Sequence, residues 1–235
     1  MKFSGSATLS AIKINDILEV SGSVKMKGDF ECDGFYSSGS LRGEGDLTVH
    51  GDLKNSGSVR LNGSLYVDGN SKISGSTGIE GEIVVKGELK NSGSLRTGKG
   101  LTALEGVKIS GSAKINGNLK SQDLIEISGS STIHGDVVGR DVLFGKESLL
   151  SRSIYKHSTK IYGNLYATEK VVLIGALIEG DVKGTDVIIG KGTEVLGTVY
   201  YVDAIEIHEK AKLENNPVKI TQAELGLKNM NDNYK

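Results

Sequence analysis

Ser110-Gly-Ser-Ala-Lys-Ile-Asn-Gly-Asn-Leu-Lys-Ser-Gln-Asp-Leu-Ile-Glu-Ile-Ser-Gly-Ser130 holds one full period of this chain. The tripeptide Ser-Gly-Ser that opens and closes it also starts at Ser4, Ser21, Ser38, Ser56, Ser74 and Ser92, in steps of 17, 17 and then 18 residues. Repetition at a fixed spacing points to stacked structural units, each burying its neighbour's apolar face. Inside the period, Gly117 is followed two residues later by Leu119. The same pair stands at Gly28/Phe30, Gly45/Leu47, Gly63/Leu65, Gly81/Ile83 and Gly135/Val137, while Lys99/Leu101 keeps the register without the glycine. The pair resumes at Gly163/Leu165, Gly180/Val182 and Gly197/Val199, so the repeat runs to about residue 200 although Ser-Gly-Ser ends at 130.

Apolar residues fall in three pairs per period. Around Gly117 they are Ala113 and Ile115, then Leu119 with Ser121, then Ile125 and Ile127; around Gly163, Thr159, Ile161, Leu165, Ala167, Val171 and Leu173 fill all six slots. A spacing of two within each pair is that of a strand burying one face. Pairs six residues apart give three short sides and three corners per coil. Neither the 3.6-residue period nor the residues of a helix are present over most of the chain. The fold predicted is all-β: a single-stranded β-helix, three-sided, with about 18 residues per coil and about eleven coils, forming a rod on the order of 50 Å long. Handedness does not follow from spacing. Corners need small residues, with Gly expected to supply positive φ and the serine hydroxyls to satisfy neighbouring backbone groups.

Lys+Arg number 28 and Asp+Glu 29, and this balance argues against broad nucleic-acid binding, which needs a cationic surface. The exposed slots mix both charge signs and read as a solvated face. With no Trp and 5% aromatic residues, a base-stacking platform is not expected. The single cysteine, Cys32, excludes an internal disulfide and a cysteine-based zinc site. Met1-Lys2-Phe3 leads directly into Ser4-Gly5-Ser6, leaving no room for a signal peptide, and no apolar run reaches the ~20 residues of a membrane span. A soluble cytoplasmic chain is the expectation. The histidines His50, His134, His157 and His208 join no nucleophile or metal-ligand pattern, so no catalytic, cofactor or metal residues are assigned.

One step breaks the rhythm. Gly135 to Gly163 is 28 residues, and the extra ten lie within residues 144–157. An insertion at a solenoid corner is either tolerated or a binding face, and Leu149, Leu150, Ile154 and Tyr155 are its candidate partner residues. The domain reading is one β-helix over 1–220, followed by a polar tail over 221–235. Leu225, Leu227 and Met230 leave a short cap on the last coil open.

The stretches Gly163-Asn-Leu-Tyr-Ala167, Gly180-Asp-Val-Lys-Gly184 and Gly197-Thr-Val-Tyr-Tyr201, each set among valine-rich strands, resemble the bactofilin family over residues 115–210. The resemblance implies a right-handed triangular β-helix that polymerises end to end into nucleotide-free filaments. It further implies a bacterial cytoskeletal scaffold serving cell shape, motility or protein positioning, either in the cytoplasm or at the inner face of the membrane. Its partners would be copies of itself or a second bactofilin-like protein, with no cofactor. An unfinished β-stack ends in open strand edges, which must be capped or paired. Leu9, Ile12, Ile14, Ile17, Leu18 and Val20 at one end, and Ile205, Ile207, Leu213, Val218 and Ile220 at the other, are the expected polymerisation surfaces. Two alternatives stand beside this. One is a hexapeptide-repeat acyltransferase, suggested by Ile174-Gly175 and Ile189-Gly190 but lacking strict tandem hexapeptides. The other is a non-polymerising scaffold that binds a partner through the insertion.

Overall fold

The structure is a computed structural model that describes residues 1–145 and 158–226, without the side chains of residues 11 and 12. Among the described residues, thirty strands form one parallel sheet wound into a β-solenoid of about eleven turns, successive turns lying about 18 residues apart. One coil shows how the sequence does this. Ser94–Thr97, Leu101–Ala103 and Val107–Ile109 are its three sides. Leu95, Thr97, Leu101, Ala103, Val107 and Ile109 point inward and are at most 1% exposed. Arg96 and Lys108, between them, are exposed. The side chains alternate because the strand period is two, so each short side puts two residues in the core and one outside.

Stacking then repeats like upon like. Leu47, Leu65, Ile83, Leu101, Leu119, Val137, Leu165, Val182 and Val199 are register partners in one buried column. Burying each such side chain contributes roughly 1.5–3 kcal/mol relative to exposure. The ladder crosses the insertion without a break: Ile127 pairs with Phe144 before it, and Ser131 with Thr159 after it. Near the N-terminus, where the steps are 17 residues, Ser6–Val20 and Ser23–Ser37 run as long strands through their corners. Register shifts at Ser10/Ile12 and Ile14/Ile17 move the pairing from 17 residues apart to 18 and back to 17.

The corners differ from expectation in their physics. None of the Ser-Gly-Ser glycines has positive φ; among the described residues that conformation belongs to Gly28, Gly106, Gly145, Gly175, Gly192 and Gly226. What excludes a side chain is the coil below. A Cβ on Gly75 would lie 2.0 Å from the carbonyl oxygen of Gly57, and one on Gly57 2.0 Å from that of Gly39. The corner backbone is satisfied by backbone, as in Ser38 N to Val20 O at 2.9 Å and Ser40 N to Gly22 O at 2.9 Å. The hydroxyls of Ser56, Ser74, Ser92 and Ser110 are left facing solvent.

A different side chain bonds the corners. After the marker glycine, Asp46 Oδ1 accepts from Ser64 N at 2.7 Å, Asn118 Oδ1 from Asp136 N at 2.9 Å, and Asp136 Oδ1 from Asn164 N at 2.8 Å. Asn164 then accepts from Asp181 N at 2.9 Å, and Asp181 from Thr198 N at 2.8 Å. Each Asp or Asn thus satisfies a backbone N–H one coil further on, where the chain turns away from the strand ladder. This is the reason for the Gly-(Asp/Asn) pairing in the repeat.

Candidate functional site: the open ends of the solenoid

At the N-terminal end, Lys2–Phe3 pairs with Glu19–Val20, and the remainder of Ser6–Val20 is paired on one side only, with Ser23–Ser37. A strand paired on one side presents N–H and C=O groups outward along the other. Leu9, with Phe3 and Ala7, is partly buried against the core beneath that edge. Ile17 is 37% exposed, packed beside Gly34 at a corner. Ile14, Leu18 and Val20 do not belong to this surface: they are 7%, 0% and 1% exposed. Lys2–Phe3 lies over Glu19–Val20 and so covers Val20, whereas Ile14, with no described strand above it, stacks on Cys32 below. The backbone of residue 12 lies in the edge strand, but its side chain is outside the described part. The Met1 ammonium pairs with Asp16 at 2.7 Å and anchors this first strand.

The C-terminal end is more open. Val218–Lys219 covers Tyr200–Tyr201, but Ala204–Ile207 pairs only with the coil before it, as does Lys212–Leu213. Ile207 is 46% exposed and Val218 42%, while Ile205, Leu213 and Ile220 are half-buried. Leu196, 40% exposed in the penultimate coil, completes this apolar end and was not among the residues read from the repeat. It sits at a corner slot that holds Glu179 one coil earlier, so only its polarity distinguishes it in the sequence.

The chain then turns back. Thr221 caps the single-turn helix Gln222–Leu225, and Glu224 returns the bond to the Thr221 backbone N–H at 2.8 Å, a complete capping box. This fixes Leu225, 4% exposed, against the strand Val182–Ile189, one coil inside the end. A capping signal, Thr-x-x-Glu, was present in the sequence. Leu227 and Met230 lie outside the described residues, as do Leu149, Leu150, Ile154 and Tyr155 of the insertion.

Titratable groups elsewhere form a ladder of another kind. Lys13, Glu31, His50, Asp68 and Lys86 are linked in that order across five coils, with His50 Nδ1 3.0 Å from Asp68 and Nε2 against Glu31. Hydrogen bonds to Glu31 and then Asp68 raise the His50 pKa, and both ring nitrogens are engaged. His134 stacks on Tyr162 at 4.8 Å, and His208 Nδ1 accepts from Lys210 N at 3.0 Å. Burial pushes the Cys32 thiol up to about 12. Among the described residues no group of three or more His, Cys, Asp or Glu is placed to hold a metal, and no helix is long and apolar enough to cross a membrane. The chain matches no family model, no curated protein and no solved structure.

Proposed function

We propose that this chain is a non-catalytic structural scaffold of bactofilin type, whose solenoids add end to end into filaments without nucleotide or metal. One observation carries the reading. Among the described residues the parallel ladder is continuous from coil to coil and open at both ends, and the strands at both ends run in the same sense. The first coil of one copy therefore continues the hydrogen-bond pattern of the last coil of another. Such a head-to-tail contact is heterologous and does not close, which generates a filament. Ile207, Val218 and Leu196 supply exposed apolar surface at the C-terminal end, and Leu9 the facing end. Negative-stain electron microscopy of the full chain is the test: filaments are expected from the wild type, and Ile207→Arg is expected to abolish them. Filaments unchanged in that variant would sink the assignment of this end.

A second reading, a rod whose end is closed and which works as a single copy, is favoured by one feature. The helix Gln222–Leu225 turns back against the strand Val182–Ile189, beside the end, and buries Leu225. Deleting residues 221–235 discriminates the two. Assembly that appears only after the deletion supports the closed rod, and equal assembly with and without the tail supports the open one.

A further inference from the structure

The net charge of −1 averages over an uneven surface. Over residues 36–114 the Ser-Gly-Ser corner is bracketed by cations two residues away on each side. The segments are Lys54-Asn-Ser-Gly-Ser-Val-Arg60, Lys90-Asn-Ser-Gly-Ser-Leu-Arg96 and Lys108-Ile-Ser-Gly-Ser-Ala-Lys114, while Lys72 and Arg42 each supply one side. Parallel register stacks them. Lys54, Lys72, Lys90 and Lys108 are successive partners on one face. Arg42 and Arg60, then Arg96 and Lys114 beyond Gly78, follow one another on the adjoining face. All eight are exposed. Like charges directly opposite on neighbouring strands, about 4.8 Å apart, oppose folding, so stability does not account for these columns.

Little in the chain neutralises them. Glu88 pairs with Lys90 at 2.6 Å and Lys108 at 3.1 Å, and Lys54 lies 4.9 Å from the Tyr36 ring. Arg42, Arg60, Lys72, Arg96 and Lys114 have no ion pair among the described residues. Between the two rows stand the exposed hydroxyls of Ser56, Ser74, Ser92 and Ser110. A shallow groove of about 310 Å³ follows the lysine side, lined by Lys72, Lys90, Lys108, Ser92 and Ser110, with the buried Asn91 at its floor and Glu126, the register partner of Lys108, at one end. Lys, Arg, Ser and Asn are the side chains that hold phosphodiester oxygens.

We propose that this edge binds duplex DNA along its phosphate backbone, without reading sequence. The ridge presents cations, neutral hydroxyls and cations in order across its width. A duplex groove presents the complement: phosphates, neutral base edges, phosphates. Each cation row stands about 7 Å along its strand from the corner serines, a ridge narrow enough for a major groove about 12 Å wide. A single-stranded partner offers one row of charge and would need stacking aromatics, and Tyr36 is the only aromatic in either column over these residues. A second copy of this chain matches less well, because several acids of its acidic corner are already engaged. Asp52 accepts from Asn70 N, Asp68 pairs with His50 and Lys86, and Asp123 pairs with Arg140. The acids nearest the ridge are Glu88, paired with Lys90 and Lys108, and Glu126, the register partner of Lys108. The inference does not depend on end-to-end assembly.

The test is fluorescence anisotropy of a labelled duplex of about 30 base pairs with the full chain, between about 50 and 200 mM salt. With about five unpaired cations engaged, log affinity is expected to fall on log salt with a slope of about −4.5. The triple variant Arg60→Gln/Lys72→Gln/Arg96→Gln is expected to lose more than about tenfold in affinity at the low-salt end and to flatten the slope by about 3. Lys191→Gln, away from the edge, is expected to change neither. No duplex binding at low salt, an unchanged slope in the triple variant, or equal or tighter binding of polyphosphate, single-stranded DNA or anionic vesicles would each overturn the proposal.

Discussion

Replacing Gly75 by alanine adds one methyl group to a corner where the coil beneath leaves no room for it. The new Cβ would stand 2.0 Å from the Gly57 carbonyl oxygen and 2.6 Å from that of Ser56. Carbon–oxygen contacts of even the closest favourable kind need about 3.3 Å, so the two coils must part locally by about 1 Å. Three backbone bonds hold them there: Ser74 N to Asn55 O at 2.8 Å, Gly75 N to Asn55 O at 3.3 Å, and Ser76 N to Gly57 O at 3.0 Å. Weakening these at about 1 kcal/mol each, together with the roughly 1–3 kcal/mol typical of forced overpacking, gives a loss of about 4–6 kcal/mol. The neighbouring Ser74→Ala removes an exposed hydroxyl and should stay within about 0.5 kcal/mol of the wild type. Urea unfolding followed by circular dichroism measures both. A Gly75→Ala variant as stable as the wild type, or a Ser74→Ala loss of equal size, would refute the account of close stacking. A helpful Gly75→Ala effect would mean instead that the glycine acts through backbone freedom in the unfolded chain.

Further expectations follow the same physics. Asp136→Ala removes the acceptor for Asn164 N and leaves that turn unsatisfied, so a loss of about 1–2 kcal/mol is expected in the same unfolding experiment, and no loss would contradict the corner ladder. Thr159 is 1% exposed and its Oγ1 has no partner among the described residues, so Thr159→Val should stabilise by about 1 kcal/mol, whereas destabilisation would show that the hydroxyl is bonded. Hydrogen bonds to Glu31 and then Asp68 raise the His50 pKa. Its contribution is therefore complete below the ordinary value of about 6.5 and is lost as pH rises through the raised folded value. An NMR titration should place His50 above that ordinary value in the wild type and lower in Asp68→Asn, and a wild-type value at or below it would contradict the ladder.

The bracketing of Ser-Gly-Ser by Lys and Arg shows where sequence reading stopped short. Lys-x-Ser-Gly-Ser-x-Arg is written twice in plain order, at Lys54–Arg60 and Lys90–Arg96, and once more with Lys114 in the final place. Taken one coil at a time, these are ordinary surface charges among equally many acids. Only the register, Lys54 over Lys72 over Lys90 over Lys108, turns them into a column. The ends were legible in a similar, partial way. Ile207 and Val218 were identifiable as apolar residues of the last coils, and they are exposed. Ile14, Leu18 and Val20 carry the same signal but are buried, because alternation tells which way a side chain points and not how far its neighbours cover it; over Val20 the cover is the strand Lys2–Phe3.

The period of 18 and the apolar pairs spaced by two determined the three-sided solenoid from the sequence alone, since few arrangements bury two residues per short side and repeat without a helix. Tertiary structure decided what each corner residue is for. The glycines of Ser-Gly-Ser are excluded from carrying a side chain by a carbonyl one coil away, and the Asp and Asn beside the marker glycines bond an N–H one coil on. Both contacts join residues 17 to 28 positions apart. A local pattern cannot reveal such a contact, because what decides it is the stacking of one coil on the next.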